Sequence, residues 1–526
     1  MALEAVPPQV AQNAELVLGK KLNGASVLIT LLLAWILVRF VSSLLFKKKN
    51  LPPSIPGLPL LGNLLQLTEK KPHRSFTTWA AKYGPIFSIQ LGSVKQVVIT
   101  SAEIAKEVLK IHDVDFASRP SSIIGKYAGF EYFDVVFSPY GDNWRLLRKI
   151  CATELLTQAR LKTFELGRQE EVASMVENIA KHNQEGKPMK MRPIFHELTS
   201  NNICRMLFGK YREKSDCFLR KEFDDLIDCV IEMGEVGGKF NISDLIPILK
   251  PFDVQGIERQ MKHIKNRAEN SLSIILNEYR NKKNIVTNSN VTDFVETLLS
   301  YDGKLDERSI MGVLADMIGG GTDSSAITME WALTELIRHP KIMKRAQEEL
   351  DTVVGRTRLV LMSDLPNLPY LHAIIKENFR LHPALPLGVP HLNTKDVQIL
   401  NYKIPANTTV IVNIWAIGRD SKVWKKPLEF DPDRFSNSDI KVGGSSYNLL
   451  PFGSGRRRCP GSDLAQHMVQ YGLATILHAF DWSPQPNIKL EDMNMMETFG
   501  AICPKVEPLV AIAKPRLSSQ IYKRFT

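Results

Sequence analysis

Ten residues constrain this chain more tightly than any other stretch: FGSGRRRCPG, residues 452–461. One thiol, Cys459, follows three consecutive arginines and sits among glycines and a proline. Phe452, Gly455, Arg457, Cys459 and Gly461 fit the spacing F-x-x-G-x-R-x-C-x-G. Five fixed positions arise by chance in a chain of this length at roughly one in several thousand, given ordinary residue usage. The chemistry coheres. A thiolate ligand needs a lowered pKa, and neighbouring arginines supply positive potential. PGSDLAQHMVQYGLATILHAF follows in a helical pattern, so the sulfur is expected near a helix amino end, where the dipole favours negative charge. Gly453, Gly455 and Gly461 are expected to let backbone pass close to a flat ligand and to turn amides toward the sulfur.

The other cysteines are Cys151, Cys204, Cys217, Cys229 and Cys503, far apart and without a C-x-x-C pair. A disulfide framework or a zinc site is therefore not expected, and these five are read as inert core residues in a reducing compartment. The net charge of +11 suits an anionic membrane or an acidic protein. No zinc-finger spacing, RNP signature or aromatic-interleaved basic stripe accompanies it, so no nucleic-acid partner is expected.

Residues 24–46, GASVLITLLLAWILVRFVSSLLF, are apolar but for Arg39 and a few hydroxyls. As a helix they would span about 34 Å, enough to cross a bilayer. Lys47, Lys48 and Lys49 follow, against Lys20 and Lys21 before, which favours a cytosolic position for everything after residue 47. Four prolines in LPPSIPGLPLLGN, residues 51–63, predict a stiff spacer. The expected order is a lumenal leader (1–23), a transmembrane anchor (24–46), a basic, proline-rich hinge (47–63) and one large domain (64–526). Within that domain, residues 86–100 read as a small hairpin split by Gly92, and helical periodicity dominates thereafter.

One helical pattern runs from Asp306, an expected N-cap, to His339, with GGGTDSS at residues 319–325 in its middle. Each interior glycine weakens a helix by about 1 kcal/mol against alanine. Two helices joined by a loop and one long helix opened for a ligand both fit this pattern.

With these motifs in place, the chain resembles the cytochrome P450 superfamily across nearly its whole length. Glu377 and Arg380 in KENFR match that family's E-x-x-R pair, and Arg434 in FDPDRF matches its third member. Residues three apart share a helix face, so this pair can form one ion-paired unit. Trp144 and Arg148 match the W-x-x-x-R that contacts one haem propionate, and Arg457 is expected at the other. The resemblance implies a mainly α fold with small β-sheets, preceded by the one transmembrane helix, and haem b ligated by the Cys459 thiolate. It further implies a single-pass protein of the endoplasmic reticulum with its catalytic domain in the cytosol.

Gly320-Gly321-Thr322-Asp323-Ser324-Ser325 resembles the family's oxygen-activation pattern, with serine where threonine is usual. Asp323 and Ser324 are therefore expected to carry protons during dioxygen activation. No G-x-G-x-x-G fingerprint opens a strand–helix unit, so electrons are expected from an NADPH–cytochrome P450 reductase. Arg145, Lys149, Arg456 and Arg458 would form a cationic docking face for it. Family resemblance places the substrate pocket around residues 119–137, 314–320, 385–389 and 498–500, mainly apolar, which suits a small hydrophobic substrate.

MEWALTELIRHP, LLPFGSGRRRCPG and PRLSSQIYKR resemble the plant group of coumaroyl-ester and flavonoid ring hydroxylases, which favours a phenolic substrate. GNLLQLTEKKPHRSFTTWAAKYGPI instead resembles plant kaurene oxidases, which act on a diterpene. A haem-thiolate isomerase or dehydratase would need neither oxygen nor reductase, and the retention of Asp323 and Ser324 speaks against it. A non-catalytic haem-binding protein would need no oxygen groove.

Overall fold

Apolar residues at helical spacing gather around one long rod. The computed structural model describes residues 50–522 apart from 68–70, 184–186, 210–218, 283–291, 302 and 437, together with residues 30 and 34. Its main helices are α1 (Pro72–Tyr83), α2 (Asp142–Ile150), α3 (Glu165–Asn183), α4 (Met191–Phe208) and α5 (Arg220–Gly237). They continue with α6 (Ile257–Lys282), α7 (Glu307–Arg338), α8 (Pro340–Val354), α9 (Pro369–Leu381) and α10 (Ser462–Ala479). The expected anchor, residues 24–46, lies outside the described residues but for positions 30 and 34. Among the described residues no helix is long and apolar enough to cross a membrane.

The rod is α7. Asp306 caps it, its carboxylate accepting the Arg308 amide at 2.9 Å. The three glycines do not divide it, so the two-helix alternative falls away. Their combined penalty of about 3 kcal/mol is offset by burial on the same helix. Val313, Leu314, Ile318, Ala326, Met329 and Leu333 are fully buried, and a large apolar side chain contributes about 1.5–3 kcal/mol. α4, α5, α9 and α10 pack against this rod.

β-structure lies to one side. β1 (Ile86–Leu91) and β2 (Val94–Ile99) form the expected antiparallel hairpin. Gly92 turns it at φ +58°, and a Cβ there would meet the Leu245 carbonyl oxygen at 2.3 Å. β2 pairs in parallel with β7 (Thr409–Val412), which pairs with β4 (His391–Leu392), giving the order β1-β2-β7-β4. β5 (Val397–Ile399) and β6 (Tyr402–Ile404) form a second hairpin. β3 (Met189–Lys190), β9 (Val510–Pro515) and β8 (Phe480–Pro484) form a three-stranded sheet in that order.

The proline-rich segment departs from expectation. Residues 51–63 are a strap bound to β1 rather than a free spacer. Ile55 N donates to Ser88 O at 3.0 Å, Ser88 N to Pro53 O at 2.8 Å, and Asn63 N to Gln90 O at 2.6 Å. Asn63 is fully buried, and its amide nitrogen also donates to the Pro56 carbonyl at 3.1 Å. Proline lacks the N–H of an inner strand, yet a sheet edge needs only its carbonyl. The strap therefore belongs to the folded domain.

A cysteine loop facing a cation-lined cavity

Cys459 stands three residues before α10. The Cys459 amide donates to Phe452 O at 3.0 Å, closing the loop on itself. Gly453 and Gly455 take φ +65° and +72°, where a Cβ is strained. They serve different ends. A Cβ on Gly455 would stand 2.0 Å from the Leu109 carbonyl oxygen, so this glycine lets two backbones touch. At Gly453, Gly461 and Gly320 of α7, an added Cβ meets nothing within 4 Å. All three border one cavity of roughly 1040 Å³, which Cys459 also lines.

The electrostatics correct one expectation. Burial pushes the Cys459 thiol up, against the lowering pull of the Gly461 amide, Arg148 and Arg458. The other two arginines of the run turn away. Arg456 pairs with Asp113 at 3.4 Å. Arg457 donates to the carbonyls of Ala117, Val135 and Ser138 at 2.6, 3.2 and 2.5 Å. A metal cation bound at the sulfur would add a favourable interaction for the thiolate.

Under the loop lies an ion-paired clamp. Arg380 grips Glu377 with two bonds of 2.7 Å, and both side chains are fully buried. Arg380 also donates to the carbonyls of Gly418 and Pro427, both at 2.6 Å, and of Glu429 at 3.0 Å. Arg434 Nε reaches Glu377 at 3.2 Å. One residue from Arg380, Phe379 meets Phe452 edge to face, ring centroids 5.3 Å apart. The clamp thus touches the cysteine loop through an aromatic pair.

Beside the sulfur the cavity wall is crowded with cations. Arg148, Arg457, Arg119 and His391 all line it. Arg119 donates to the carbonyls of Val136, Val389 and Pro390 at 3.0, 2.9 and 2.8 Å. Burial, then repulsion from Arg457, lowers Arg119 to about 9. Burial, then Arg119, lowers His391 to about 3. Burial lowers Arg457 to about 10 and also lowers Arg148. His391 is thus a neutral ring, and it is the three buried arginines, which repel one another, that fit a ligand bearing carboxylates. Trp144 N–H donates to Val135 O at 3.0 Å, so its part here is the ring face, which Arg457 covers at 4.2 Å. Arg119 and His391 escaped the sequence reading because neither belongs to a motif recognised there.

Asp323 and Ser324 border the same cavity from α7. Ser324 Oγ donates to Gly320 O at 2.7 Å. Asp323 Oδ1 lies 3.0 Å from His196 Nδ1 on α4, a partner the sequence gave no sign of. The four expected pocket segments all contribute, through Val136, Gly319, Leu387 and Phe499 among others. α5 adds Val230, Met233, Gly234 and Gly237.

The expected cationic docking face is partly self-neutralised. Arg145 pairs with Asp142, and Arg458 stands 3.8 Å from Asp463. Lys149 is exposed. Cys151, Cys204, Cys229 and Cys503 are buried, as expected, while Cys217 lies outside the described residues.

A helical fold whose cavity joins a lone thiol, glycine openings and unbalanced cations defines a haem-thiolate protein. The family model described as Cytochrome P450 matches residues 52–510. A flavonoid 3'-monooxygenase of Crocosmia x crocosmiiflora is 38% identical, covering 94% of this chain and all of the relative. One of Arabidopsis thaliana is 39% identical over 95% of this chain and 99% of its own. A solved zebra fish cytochrome P450 with progesterone aligns at TM-score 0.71 and 25% identity, covering 84% of this chain and 99% of that one. The chain belongs to the cytochrome P450 family, whose members hold haem through a cysteine thiolate and act as monooxygenases.

Proposed function

We propose that the protein hydroxylates the ring of a phenolic or flavonoid natural product, using electrons that an NADPH–cytochrome P450 reductase delivers. Residues 24–46 anchor it in the endoplasmic reticulum membrane with the catalytic domain in the cytosol. The flavonoid 3'-monooxygenases among its relatives support the substrate class. One observation carries the reading: Cys459 and the Asp323–Ser324 pair border a single cavity whose remaining wall is mostly apolar.

In this reading Cys459 is the thiolate ligand, and Phe452, Gly455 and Gly461 shape the loop that presents it. Glu377, Arg380 and Arg434 fix the floor beneath. Arg119, Arg148, Arg457 and His391 face the haem carboxylates, with Trp144 as the platform for Arg457. Haem, when bound, supplies the binding and reductive activation of dioxygen. The chain supplies protons and position. Ser324 Oγ donates to Gly320 O, so its hydroxyl would rotate away from that carbonyl to pass its proton into the cavity and accept another from Asp323. Serine lacks the γ-methyl that restrains threonine, so more peroxide leakage is expected than from a threonine at this position. Val230, Met233, Leu387 and Phe499 exclude water and hold an aromatic ring.

The test is turnover in membranes with reductase and NADPH, against a panel of flavonoids, coumaroyl esters and diterpenes. Ring-hydroxylated phenolics formed only with NADPH and oxygen are expected. Oxidised diterpenes alone would move the protein to terpenoid chemistry, as the resemblance of its residues 62–86 to kaurene oxidases would then imply. Product without NADPH would identify an isomerase or dehydratase, and binding without product a non-catalytic haem protein.

A further inference from the structure

Asp323 must recover each proton it gives up, and it faces a group suited to that task. His196 Nδ1 stands 3.0 Å from Asp323 Oδ1, with the side chains 25% and 18% exposed. Both residues border the cavity. The two groups are in contact without an aligned hydrogen bond, since Asp323 Oδ1 is a buried oxygen that lacks a hydrogen-bond partner, and a small turn of the ring would aim an N–H at it. An imidazole has two ring nitrogens, so it can give a proton from one and take one up at the other.

The surroundings leave this exchange to His196. Arg192, one turn earlier on α4, is held by Glu330 of α7 at 2.9 Å and donates to the Lys505 carbonyl at 2.7 Å. The Lys505 amine donates to Asn494 O. Glu197 is exposed. On α3, Glu170 and Glu171 bind Arg205, more than two turns further along α4.

We propose that His196 is a positioning residue that returns protons to Asp323 during oxygen activation, an inference that rests on the relay reading of Asp323 and Ser324 above. After Asp323 has passed its proton to Ser324, the imidazolium of His196 gives up its Nδ1 proton to Asp323 Oδ1. One N–H bond breaks and one O–H bond forms. The neutral ring turns outward and regains a proton from water. The electrons remain those of NADPH, and dioxygen remains the oxidant.

The experiment compares His196→Phe, His196→Gln and Asp323→Asn holoenzymes, each with an unchanged carbon monoxide band to show intact haem binding. Product and peroxide per NADPH are measured across pH, with and without added imidazole. His196→Phe should lower product per NADPH roughly tenfold, less than the 10²–10⁴ that direct general acids supply. Peroxide should rise in step, the pH dependence should flatten, and imidazole should restore part of the coupling. His196→Gln, which keeps an N–H donor but carries no transferable proton, should be equally uncoupled. A second readout needs no turnover. In the carbon monoxide complex of ¹³C-histidine-labelled protein, the resonance missing from His196→Phe should change position in Asp323→Asn relative to wild type. If Asp323→Asn uncouples while both His196 variants behave as wild type, the His196 proposal is overturned and the relay stands. If Asp323→Asn itself leaves coupling intact, the relay reading falls, and the His196 role with it.

Discussion

The floor and the roof of the cavity are held by different physics. On the floor, charged side chains bond backbone carbonyls. Arg380 alone takes three carbonyls besides its carboxylate partner, and Arg457 takes three more. Over the cavity, the loop of residues 119–138 carries three consecutive left-handed residues, Phe130, Glu131 and Tyr132, at φ +46°, +62° and +65°. It is tied to α7 by Asp316, whose carboxylate accepts the amides of Val135 and Val136 at 2.7 and 3.1 Å. Glycines and apolar contacts do the rest, as at Gly312, where a Cβ would meet the Phe133 carbonyl oxygen at 2.9 Å. A floor built on directed bonds tolerates few substitutions. Away from Asp316, Arg119 and Arg457, which tie this loop down, the roof is built on volume, tolerates more and can be reshaped for a new substrate.

The sharpest way to break this contrast is at the floor. Arg380→Leu leaves Glu377 buried without its partner, an effect of about 3–5 kcal/mol. Little folded haem protein should remain, as read by thermal melting and the carbon monoxide spectrum. A stable variant would dissolve the distinction.

Next in size is a pair of glycines in the cysteine loop. Gly455→Ala adds a clash with Leu109 to a strained backbone, so the loop must move and haem should be lost. Gly453→Ala meets open space and should lose only about 1–2 kcal/mol to its positive φ. Equal losses in melting temperature would show that the close approach of two backbones is not what fixes Gly455.

At the roof, pH is the probe. Asp134 and Asp316 are buried together, and burial pushes both up, Asp134 to about 6. Unfolded carboxyls lose their proton near pH 3.9. The folded chain therefore holds extra protons above that point, and the stability they lend is present below it and lost as pH rises through about 6. Melting temperature should fall between roughly pH 4.5 and 7 more in wild type than in Asp134→Asn, which keeps a hydrogen-bond donor without the ionisation. Identical slopes would remove the shared proton from the account.

The smallest expected change in stability comes with a large change in specificity. Gly234 faces the cavity from α5, and an added Cβ there meets nothing within 4 Å. Gly234→Leu should shift stability by no more than about 1 kcal/mol, toward greater stability if helix propensity dominates. It should raise KM for three-ring substrates more than for single-ring phenols.

The same contrast explains what was legible in the sequence. Glu377, Arg380, Arg434, Arg457 and Cys459 stood out through motifs the chain shares with its family, since directed bonds dictate residue type and spacing. The helical period of α7 was legible because burial imposes it, but whether its three glycines divide it was not, since that depends on burial outweighing them. Arg119 and His391 stayed hidden: each bonds a carbonyl brought near only by the fold, which leaves no local pattern. His196 was missed for the same reason, since its meeting with Asp323 depends on how α4 crosses α7. The α5 wall left no signal because any residue of suitable volume would line it. The prolines of residues 51–63 read as a spacer, since stiffness is local and pairing with β1 is not.

The central claim is that Cys459 holds haem in this cavity as a thiolate. It is tested most directly by reduced carbon monoxide difference spectra of wild type and Cys459→His, with haem content measured in both. Wild type should give the red-shifted band of a thiolate ligand, and the variant, if it keeps haem, the shorter-wavelength band of imidazole ligation. A thiolate-type band persisting in Cys459→His would place the ligand elsewhere and contradict the account.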